Sequence, residues 1–359
     1  MPVAAQSRPG PGRSGPGAAV PAGWSHRARA VAGLLLGVSA WAVAQAGAVS
    51  AASSPAVVDV MPWLHRVQSA AANSSYQGTL MISAGGVVNS SRVLHVCDGR
   101  QCYERIETLD GRARVQFRHN DSVLTVWPAS KLARAEQRDL VAEFPALPSA
   151  AVQRTGDSYE ALAQPRDRVA GHEVEVMLFK PRDKLRFAQR LWVDRETGLL
   201  LRNEVLGPGG EVLETAAFTD VHIGGKPSPE PVLAAMKRLD GYRVLRAPTE
   251  RTQIEQEGWT LTRAVGGFQL VSCARRPLEA GIDAVASVPA LQTVFTDGLA
   301  HVSVFIEPHD AQRHRQAQAT SLGATHTLTS REGDWWITVV GEVPMATLQQ
   351  FRAMFERKH

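Results

Sequence analysis

Short alternating runs joined by turn residues fill much of the first half of the chain. Those between residues 76 and 127 are YQGTLMIS, SRVLHVCDG, QCYERIETLDG, RARVQFRHN and DSVLTVWP. The pairs Asp98-Gly99, Asp110-Gly111 and Asn120-Asp121 separate them, and such residues favour tight hairpin turns. HEVEVMLFKP, AQRLWVDRETG, LLLRNEVLG and EVLETAAFTDVHI follow before residue 224. With only one clear helix before them, at 57–73, these runs predict a long antiparallel sheet. Such a sheet could curl around a cavity.

The first 52 residues have the order of a secretory signal. Residues 1–23 are rich in Pro, Gly, Ala and Ser, which is typical of disorder. Arg27 and Arg29 precede the apolar stretch AVAGLLLGVSAWAVA (30–44), and small residues follow. We therefore predict a disordered leader and signal peptide at 1–52, with cleavage near Ala52 and export to the periplasm. An uncleaved membrane anchor is the alternative.

The charge balance argues against nucleic-acid binding. The chain has 39 Lys and Arg against 35 Asp and Glu. Residues 1–52 contain four arginines and no acidic residue, so the remainder balances at 35 of each. Nucleic-acid binding needs a concentrated basic surface, and the exported chain has no such cluster beyond Arg275-Arg276. No nucleic-acid partner is predicted.

The stretch GGKPSPEP (224–231) divides the remaining chain, because it combines Gly, Pro and Ser without an apolar pattern. We predict a large domain at 53–224, a linker at 225–250 and a smaller α/β domain at 251–359. Within the small domain, residues 296–307 (TDGLAHVSVFIE) read as a turn and a strand, and the polar segment 309–320 after them reads as helix-like. Alternation places Ala300, Val302, Val304 and Ile306 on one apolar face that must be covered, and Leu299, His301, Ser303 and Phe305 on the other.

No constellation of residues nominates a catalytic site. His301 and Ser303 lie two residues apart on one strand, roughly 6.5–7 Å between Cα atoms, which is long for a nucleophile and its base. A Gly-x-Ser-x-Gly motif and a His-Glu-x-x-His motif are both absent. We predict no catalytic residue, metal site or cofactor. An envelope hydrolase is the weakest of the functional hypotheses.

The cysteines leave one question open. Cys97 and Cys102 flank an Asp-Gly turn and could face each other across a hairpin, so a disulfide is possible in an oxidising compartment. Cys273 is predicted to be a small buried hydrophobe.

Bulky apolar residues on alternating positions of the first sheet could line a pocket for an acyl chain. A packed core is the alternative for each of them. The candidates for the lipid pocket are Leu80, Ile82, Val123, Trp127, Val176, Leu178, Leu199 and Leu201.

Several stretches together resemble the RseB/MucB family of periplasmic negative regulators of an envelope-stress sigma factor. They are SSYQGTLMIS, LWVDRETGLLLRNEVLGPGGEVLETAAFTDV, GFQLVSCARRP, FTDGLAHVSVFIEP and ITVVGEVP. The resemblance implies an unclosed β-barrel similar to LolA and LolB, followed by a separate small domain. It also implies a non-enzymatic protein that binds the periplasmic segment of a membrane anti-sigma factor of the RseA/MucA type. Such a protein protects that segment from proteolysis, releases it on binding lipid or lipopolysaccharide, and self-associates into a homo-oligomer.

The same resemblance assigns the partner surface to the small domain. The partner-binding candidates in the matching stretches are Arg275, Arg276, Leu299, His301, Ser303 and Phe305. Trp335 and Trp336 point to opposite faces of one strand, so at least one should pack in the core, and Trp336 is the candidate contact anchor. A periplasmic lipid or lipoprotein carrier of the LolA/LolB type is the alternative function. Such a carrier would need the large domain alone, so the presence of 251–359 favours a protein partner.

Overall fold

The computed structural model describes residues 59–97, 100–137, 144–147, 154–225, 227–277 and 289–358. The predicted leader and signal peptide, and the predicted turn at 98–99, lie outside the described residues. Within these ranges, no helix has the length and apolar character required to cross a membrane.

A 12-stranded sheet forms the N-terminal part of the structure. Its strands are β1 (Tyr76–Ala84), β2 (Val87–Cys97), β3 (Cys102–Thr108), β4 (Val115–His119), β5 (Ser122–Trp127), β6 (Leu132–Gln137), β7 (Tyr159–Val169), β8 (His172–Pro181), β9 (Ala188–Asp194), β10 (Leu200–Leu206), β11 (Val212–Ile223) and β12 (Arg243–Ala247). The spatial order is β12-β6-β5-β4-β3-β2-β1-β11-β10-β9-β8-β7. All neighbours are antiparallel except β12 and β6, which are parallel. Because β12 and β7 are the two edges, the sheet is not closed, and the predicted unclosed antiparallel architecture is confirmed.

Helices cover one face of this sheet at two places. Helix α1 (Met61–Asn73) has its Leu64 and Val67 side chains fully buried against Met177 and Leu191. Helix α3 (Glu230–Lys237) covers Phe117 and Leu124 at the other end of the sheet, while α2 (Thr155–Ser158) is a single turn before β7.

The other face of the large sheet carries a separate apolar cluster, which we call the inner cluster. Val176 and Trp192, the sequence neighbours of Met177 and Leu191, point to this face because strand residues alternate. Its members are Tyr76, Leu80, Val93, Val169, Val174, Val176, Trp192, Leu199, Leu201 and Phe218.

The C-terminal part is a seven-stranded sheet with one helix. Its strands are β13 (Glu250–Arg251), β15 (Gln269–Pro277), β16 (Pro289–Thr296), β17 (His301–Pro308), β18 (Ala319–Leu322), β19 (Thr325–Glu332) and β20 (Trp335–Gly341), in the order β13-β15-β16-β17-β20-β19-β18. Strands β14 (Trp259–Leu261) and β21 (Phe355–Arg357) pair separately, and helix α4 (Met345–Ala353) packs on the core through Leu348 and Phe351. Ala300, Val302, Val304 and Ile306 are all buried in this core, as the alternation in β17 predicts.

Three segments differ from the sequence-based expectation. The predicted linker 225–250 contributes α3 and β12 to the large domain, so it is not a free connection. The polar segment 309–320 was expected to be helix-like but forms turns that lead into β18. The Pro and Ala content of residues 139–165 predicts loops and short helices, but strand β7 begins within this stretch and contains Pro165 and a bulge between Gln164 and Asp167. Proline and bulges are tolerated there since β7 is an edge strand.

Candidate functional site

A buried carboxylate joins the two domains. Asp297 lies in the turn between β16 and β17, and its Oδ1 accepts hydrogen bonds from the backbone N–H groups of Leu299 (2.9 Å) and Ala300 (2.8 Å). Its Oδ2 accepts from the Tyr159 hydroxyl (2.9 Å) and from Arg186 Nη1 (2.8 Å), both in the large domain. The side chains of Asp297 and Arg186 are completely inaccessible to solvent. The β16–β17 turn of the small domain is therefore anchored in the large domain by buried hydrogen bonds to Asp297.

Burial governs the electrostatics of this contact. It raises the pKa of the Asp297 carboxyl, against the opposing effects of Arg186 and the hydrogen-bond donors around it. Burial, together with the Asp297 carboxylate, also raises the pKa of Tyr159 well above its ordinary value. Arg186 receives further support from Asp183, from the carbonyl of Gly266 and from the ring of Phe268, whose centroid is 4.9 Å away. Removing one member would leave its charged or polar partners buried without compensation.

Among the further contacts that cross the domain boundary, two involve carboxylates of the large sheet. Arg276 Nη2 donates to Glu136 Oε2 on β6 at 3.2 Å, and only 1% of the Glu136 side chain is exposed. Elsewhere Glu214 on β11 lies near Glu342 of the small domain. Burial, and then the charge of Glu342, raises the pKa of Glu214 to about 7. The interface thus combines buried ion pairs with one repulsive carboxylate pair.

The lipid-pocket candidates divide into two groups. Leu80, Val176, Leu199 and Leu201 lie together in the inner cluster and are buried against one another. Val123 is buried outside that cluster, Trp127 and Leu178 are partly buried, and Ile82 is 39% exposed. The structure therefore brings half of the candidates together as packed core, which is the alternative that the sequence left open.

The partner-binding candidates also occupy different environments. Arg275 pairs with Glu257 and keeps half of its side chain exposed, while His301, Ser303 and Phe305 are partly buried on β17. Arg276 instead contacts Glu136 across the domain boundary.

Two of these candidates require correction as surface residues. Leu299 is buried in the cluster under α1, because the Asp297 turn carries it into the large domain. Trp336 is buried beneath the loop after β17, where the His314 ring stacks on it with centroids 4.8 Å apart. Trp335, on the opposite face of β20, packs against the core, so the expectation that one of this pair belongs to the core is confirmed. Neither Leu299 nor Trp336 offers a free surface to a partner.

Cys97 and Cys102 form a disulfide bond between the facing ends of β2 and β3. Donor atoms of His95, Cys97 and Cys102 lie within 4.8 Å of one another, which is close enough for a metal site. However, both sulfur atoms are engaged in the disulfide and are not thiolate ligands in this state. Cys273 is half-buried, and burial raises the pKa of its thiol to about 11.

A groove of about 740 Å³ lies between α3 and strands β4 and β5. Its walls include Phe117, Val126, Ala234 and Tyr242, so it is largely apolar on the sheet side. None of the lipid-pocket candidates lines it. This groove was missed in the sequence because α3 fell in the predicted linker.

Comparison with known proteins gives matches in both domains. Residues 59–236 match the MucB/RseB N-terminal domain and residues 253–356 match the MucB/RseB C-terminal domain.

The chain belongs to the MucB/RseB family.

One relative within this family is the sigma factor AlgU regulatory protein MucB of Pseudomonas aeruginosa. It is 28% identical over 311 residues, which cover 85% of this chain and 93% of that protein. The sigma-E factor regulatory protein RseB of Escherichia coli K12 is 25% identical and covers 73% of this chain and 80% of its own length. The solved MucA/MucB complex of Pseudomonas aeruginosa superimposes with a TM-score of 0.62 at 25% identity, covering 84% of this chain and all of that one.

For this MucB/RseB chain, sequence reasoning missed the residues that hold the domains together. Asp297 was assigned only to a turn, since Tyr159 lies 138 residues away and Arg186 lies 111 residues away. Extending the predicted hairpin outward from Cys97 and Cys102 places His95 opposite Glu104, but no local pattern shows that this pair is buried.

Proposed function

We propose that this protein is a periplasmic regulator that binds the periplasmic segment of a membrane anti-sigma factor of the RseA/MucA type. By covering that segment it protects the anti-sigma factor from regulated proteolysis and keeps the envelope-stress sigma factor inactive. Binding of lipid or lipopolysaccharide releases the partner. The protein works by binding rather than by catalysis, and an N-terminal signal peptide directs it to the periplasm.

The observation that carries this proposal is the match of both domains, in order, to the MucB/RseB family. Two relatives, which align over 93% and 80% of their own lengths, are named as sigma-factor regulatory proteins. One solved relative is a complex with MucA. A lipid carrier of the LolA/LolB type is the alternative. It does not account for 253–356, which match the MucB/RseB C-terminal domain.

The partner surface is proposed to lie on the small domain and to involve Arg275 on one face of its sheet and His301, Ser303 and Phe305 on the other. Arg275 keeps half of its side chain in solvent, so it can pair with a carboxylate of the partner at small desolvation cost. Phe305 adds an aromatic side chain to the same sheet, and aromatic residues contribute strongly to interface energy.

The lipid site is proposed to involve the inner cluster of the large sheet. Leu80, Val176, Leu199 and Leu201 already form a continuous apolar surface on one face of an open sheet. An acyl chain would bind there by separating these packed side chains. Each methylene that it buries contributes about 0.8 kcal/mol, which can offset that separation.

The decisive experiment is a reconstituted cleavage assay. It uses the full chain, the periplasmic segment of the cognate anti-sigma factor and the protease that cuts it. We expect the chain to slow cleavage, and acylated lipid to restore it. A scrambled anti-sigma segment that is still cleaved is the control. Cleavage at an unchanged rate with saturating protein would contradict the regulator function. Lipid binding without any effect on cleavage would favour the carrier.

Self-association is also part of the proposal. Sedimentation of the full chain with and without lipid measures it directly, and a monomer at all concentrations would exclude a homo-oligomer.

A further inference from the structure

Two cross-strand pairs at the end of the β2–β3 hairpin form one connected group on the same face of the sheet. His95 lies directly opposite Glu104, and Cys97 lies directly opposite Cys102. His95 Nδ1 is 3.0 Å from Glu104 Oε2, and His95 Nε2 is 2.9 Å from Cys97 Sγ. His95, Glu104 and Cys97 are each at least nine-tenths buried. The disulfide is therefore placed at the end of a buried carboxylate–histidine pair.

While the disulfide is intact, Nε2 of His95 faces no hydrogen-bond donor in this group. An ionised Glu104 only accepts hydrogen bonds, so His95 Nδ1 must donate to it. Nε2 of a neutral ring then directs its lone pair at a disulfide sulfur that carries no hydrogen. A reduced Cys97 would supply either an S–H donor or a thiolate that pairs with the imidazolium. His95 thus gains a full partner only after the disulfide opens.

Among the residues that the structure describes, the remaining neighbours of His95 do not supply that partner. Tyr76 on β1 stacks on the His95 ring at 4.7 Å, and burial, followed by the charge of Glu104, raises the pKa of its hydroxyl well above the ordinary value. Tyr76 therefore stays neutral at physiological pH. Arg118 on β4 lies opposite Glu104 in the ladder and adds positive charge on that side.

The two sulfur atoms differ in environment. Cys97 is 7% exposed beside His95, whereas Cys102 is only partly buried and its Sγ is 3.9 Å from the carbonyl of Ala72. An incoming thiolate reaches Cys102 more easily. The departing sulfur is then Cys97, which is the one that His95 can stabilise.

We propose that Cys97–Cys102 is an exchange-active disulfide that accepts an electron pair from a dithiol, with His95 and Glu104 as positioning residues for the departing thiolate. In the first step a thiolate of the dithiol bonds to Cys102 Sγ, the Cys97–Cys102 bond breaks, and its electron pair stays on Cys97 Sγ. The neutral His95 ring takes a proton from water at Nε2, and the imidazolium so formed pairs with the Cys97 thiolate. In the second step the other thiolate of the dithiol attacks the mixed disulfide and releases Cys102, which takes a proton from water. The dithiol is oxidised to a disulfide and the protein gains two thiols.

Opening the disulfide would change the contacts at the C-terminal end of α1. Ser75, two residues after the end of α1, bonds to the backbone of Cys97 through its hydroxyl, and Cys102 Sγ contacts Ala72 within α1. Opening the disulfide thus frees the hairpin end against which the C-terminal turn of α1 rests.

The first test measures thiolate formation in the reduced full chain by absorbance at 240 nm across pH, in EDTA to exclude metal binding. We expect one thiolate to form below about pH 7.5, as for cysteines paired with a protonated histidine. Cys273 does not contribute in that range, because its pKa is about 11. In His95→Gln the step should move to about pH 8.5 or higher. A wild-type step above pH 8, or one that is the same in His95→Gln, would overturn the proposal.

The second test follows exchange itself. Wild type and variants are equilibrated with reduced and oxidised glutathione, quenched in acid and analysed by mass spectrometry. We expect His95→Gln to shift the equilibrium at least about tenfold toward the disulfide, Glu104→Gln to shift it in the same direction, and glutathione to be trapped on Cys102. His119→Gln is the matched control, because His119 stacks on Tyr103 near the same hairpin without touching a sulfur. Circular dichroism checks folding, and if His95→Gln is unfolded, Glu104→Gln and the wild-type pH step decide. Glutathione trapped mainly on Cys97, or equal shifts in His119→Gln, would refute the mechanism.

Discussion

Replacing Asp297 by asparagine changes one side of the domain interface without changing its shape. The amide oxygen of asparagine can still accept the two hydrogen bonds from the turn backbone, at Leu299 and Ala300. Its amide nitrogen would then face Arg186 Nη1 and the Tyr159 hydroxyl, where the wild type has a carboxylate oxygen. The substitution therefore leaves the turn intact and removes the charge that compensates Arg186.

The expected cost follows from the burial of Arg186, whose side chain is completely inaccessible. Breaking a buried ion pair by removing one partner typically costs about 3–5 kcal/mol. Asp183 stays in contact with the guanidinium, so we expect a value near 3 kcal/mol. That is a large share of the roughly 5–15 kcal/mol that stabilises a typical protein. With a urea dependence of about 3 kcal/mol per M, the midpoint should fall by about 1 M, and the transition of the small domain should separate from that of the large one.

Urea unfolding followed by tryptophan fluorescence and circular dichroism measures this change. Asp183→Asn is the matched control, because Asp183 contacts the same guanidinium but is 37% exposed. Its loss should cost less than about 1 kcal/mol. If Asp297→Asn unfolds like the wild type, or if Asp183→Asn is equally destabilising, then Asp297 is not what holds the domains together.

Three further predictions concern other parts of the interface and the proposed binding surfaces. Glu214 has a pKa of about 7 when folded and about 4.5 when unfolded, so its contribution should destabilise the fold progressively as pH rises from about 4.5 to 7. Glu214→Gln should therefore raise the melting temperature at pH 8 and not at pH 4. The corresponding gain in the free energy of unfolding at pH 8 is about 1–2 kcal/mol after solvent screening. An equal effect at both pH values would contradict this. Arg275→Ala should weaken binding of the anti-sigma segment in calorimetry with unchanged stability, whereas Arg276→Ala should destabilise the fold; the reverse pattern would place the partner elsewhere. Leu201→Ala should cost about 2–5 kcal/mol in urea unfolding, because Leu201 is fully buried in the inner cluster, and a smaller loss would indicate that the cluster is loosely packed.

The sequence predicts those elements whose pattern is local. Strand β17 is an example, since the alternation of Val302, Val304 and Ile306 is enough to show which face is buried. Strands β7 and β12 were missed because edge strands need no regular alternation, and their pairing with distant strands is what defines them. The interface around Asp297 was missed for the same reason, because its residues come from distant parts of the chain.

Asp297 illustrates why the interface could not be foreseen. In the sequence it is an ordinary residue before a glycine, and such residues commonly form turns. Its burial depends on Arg186 and Tyr159, which no spacing rule connects to it. Leu299 and Trp336 were assigned to the surface for a related reason: alternation shows which side chains share a face but not which other segment covers that face.

Under the proposed function, lipid binding in the large domain must change partner binding in the small domain. The contacts across the domain boundary limit how this coupling can occur. A ligand shifts an equilibrium only by its difference in affinity for the two states, and such couplings are typically about 1–3 kcal/mol. Separating Asp297 from Arg186 would cost about as much as or more than this, and the buried Glu136 carboxylate with Arg276 adds a second costly contact. The charges of Glu214 and Glu342 oppose contact at the other end of the boundary. That end is nevertheless held by a hydrogen bond from the Ala324 backbone to Glu214, and by the apolar packing of Ala324 with Phe187 and Val205. Because attractive contacts hold both ends of the boundary, a coupling of this size is too small to detach the small domain, and the two domains are expected to stay joined when lipid binds.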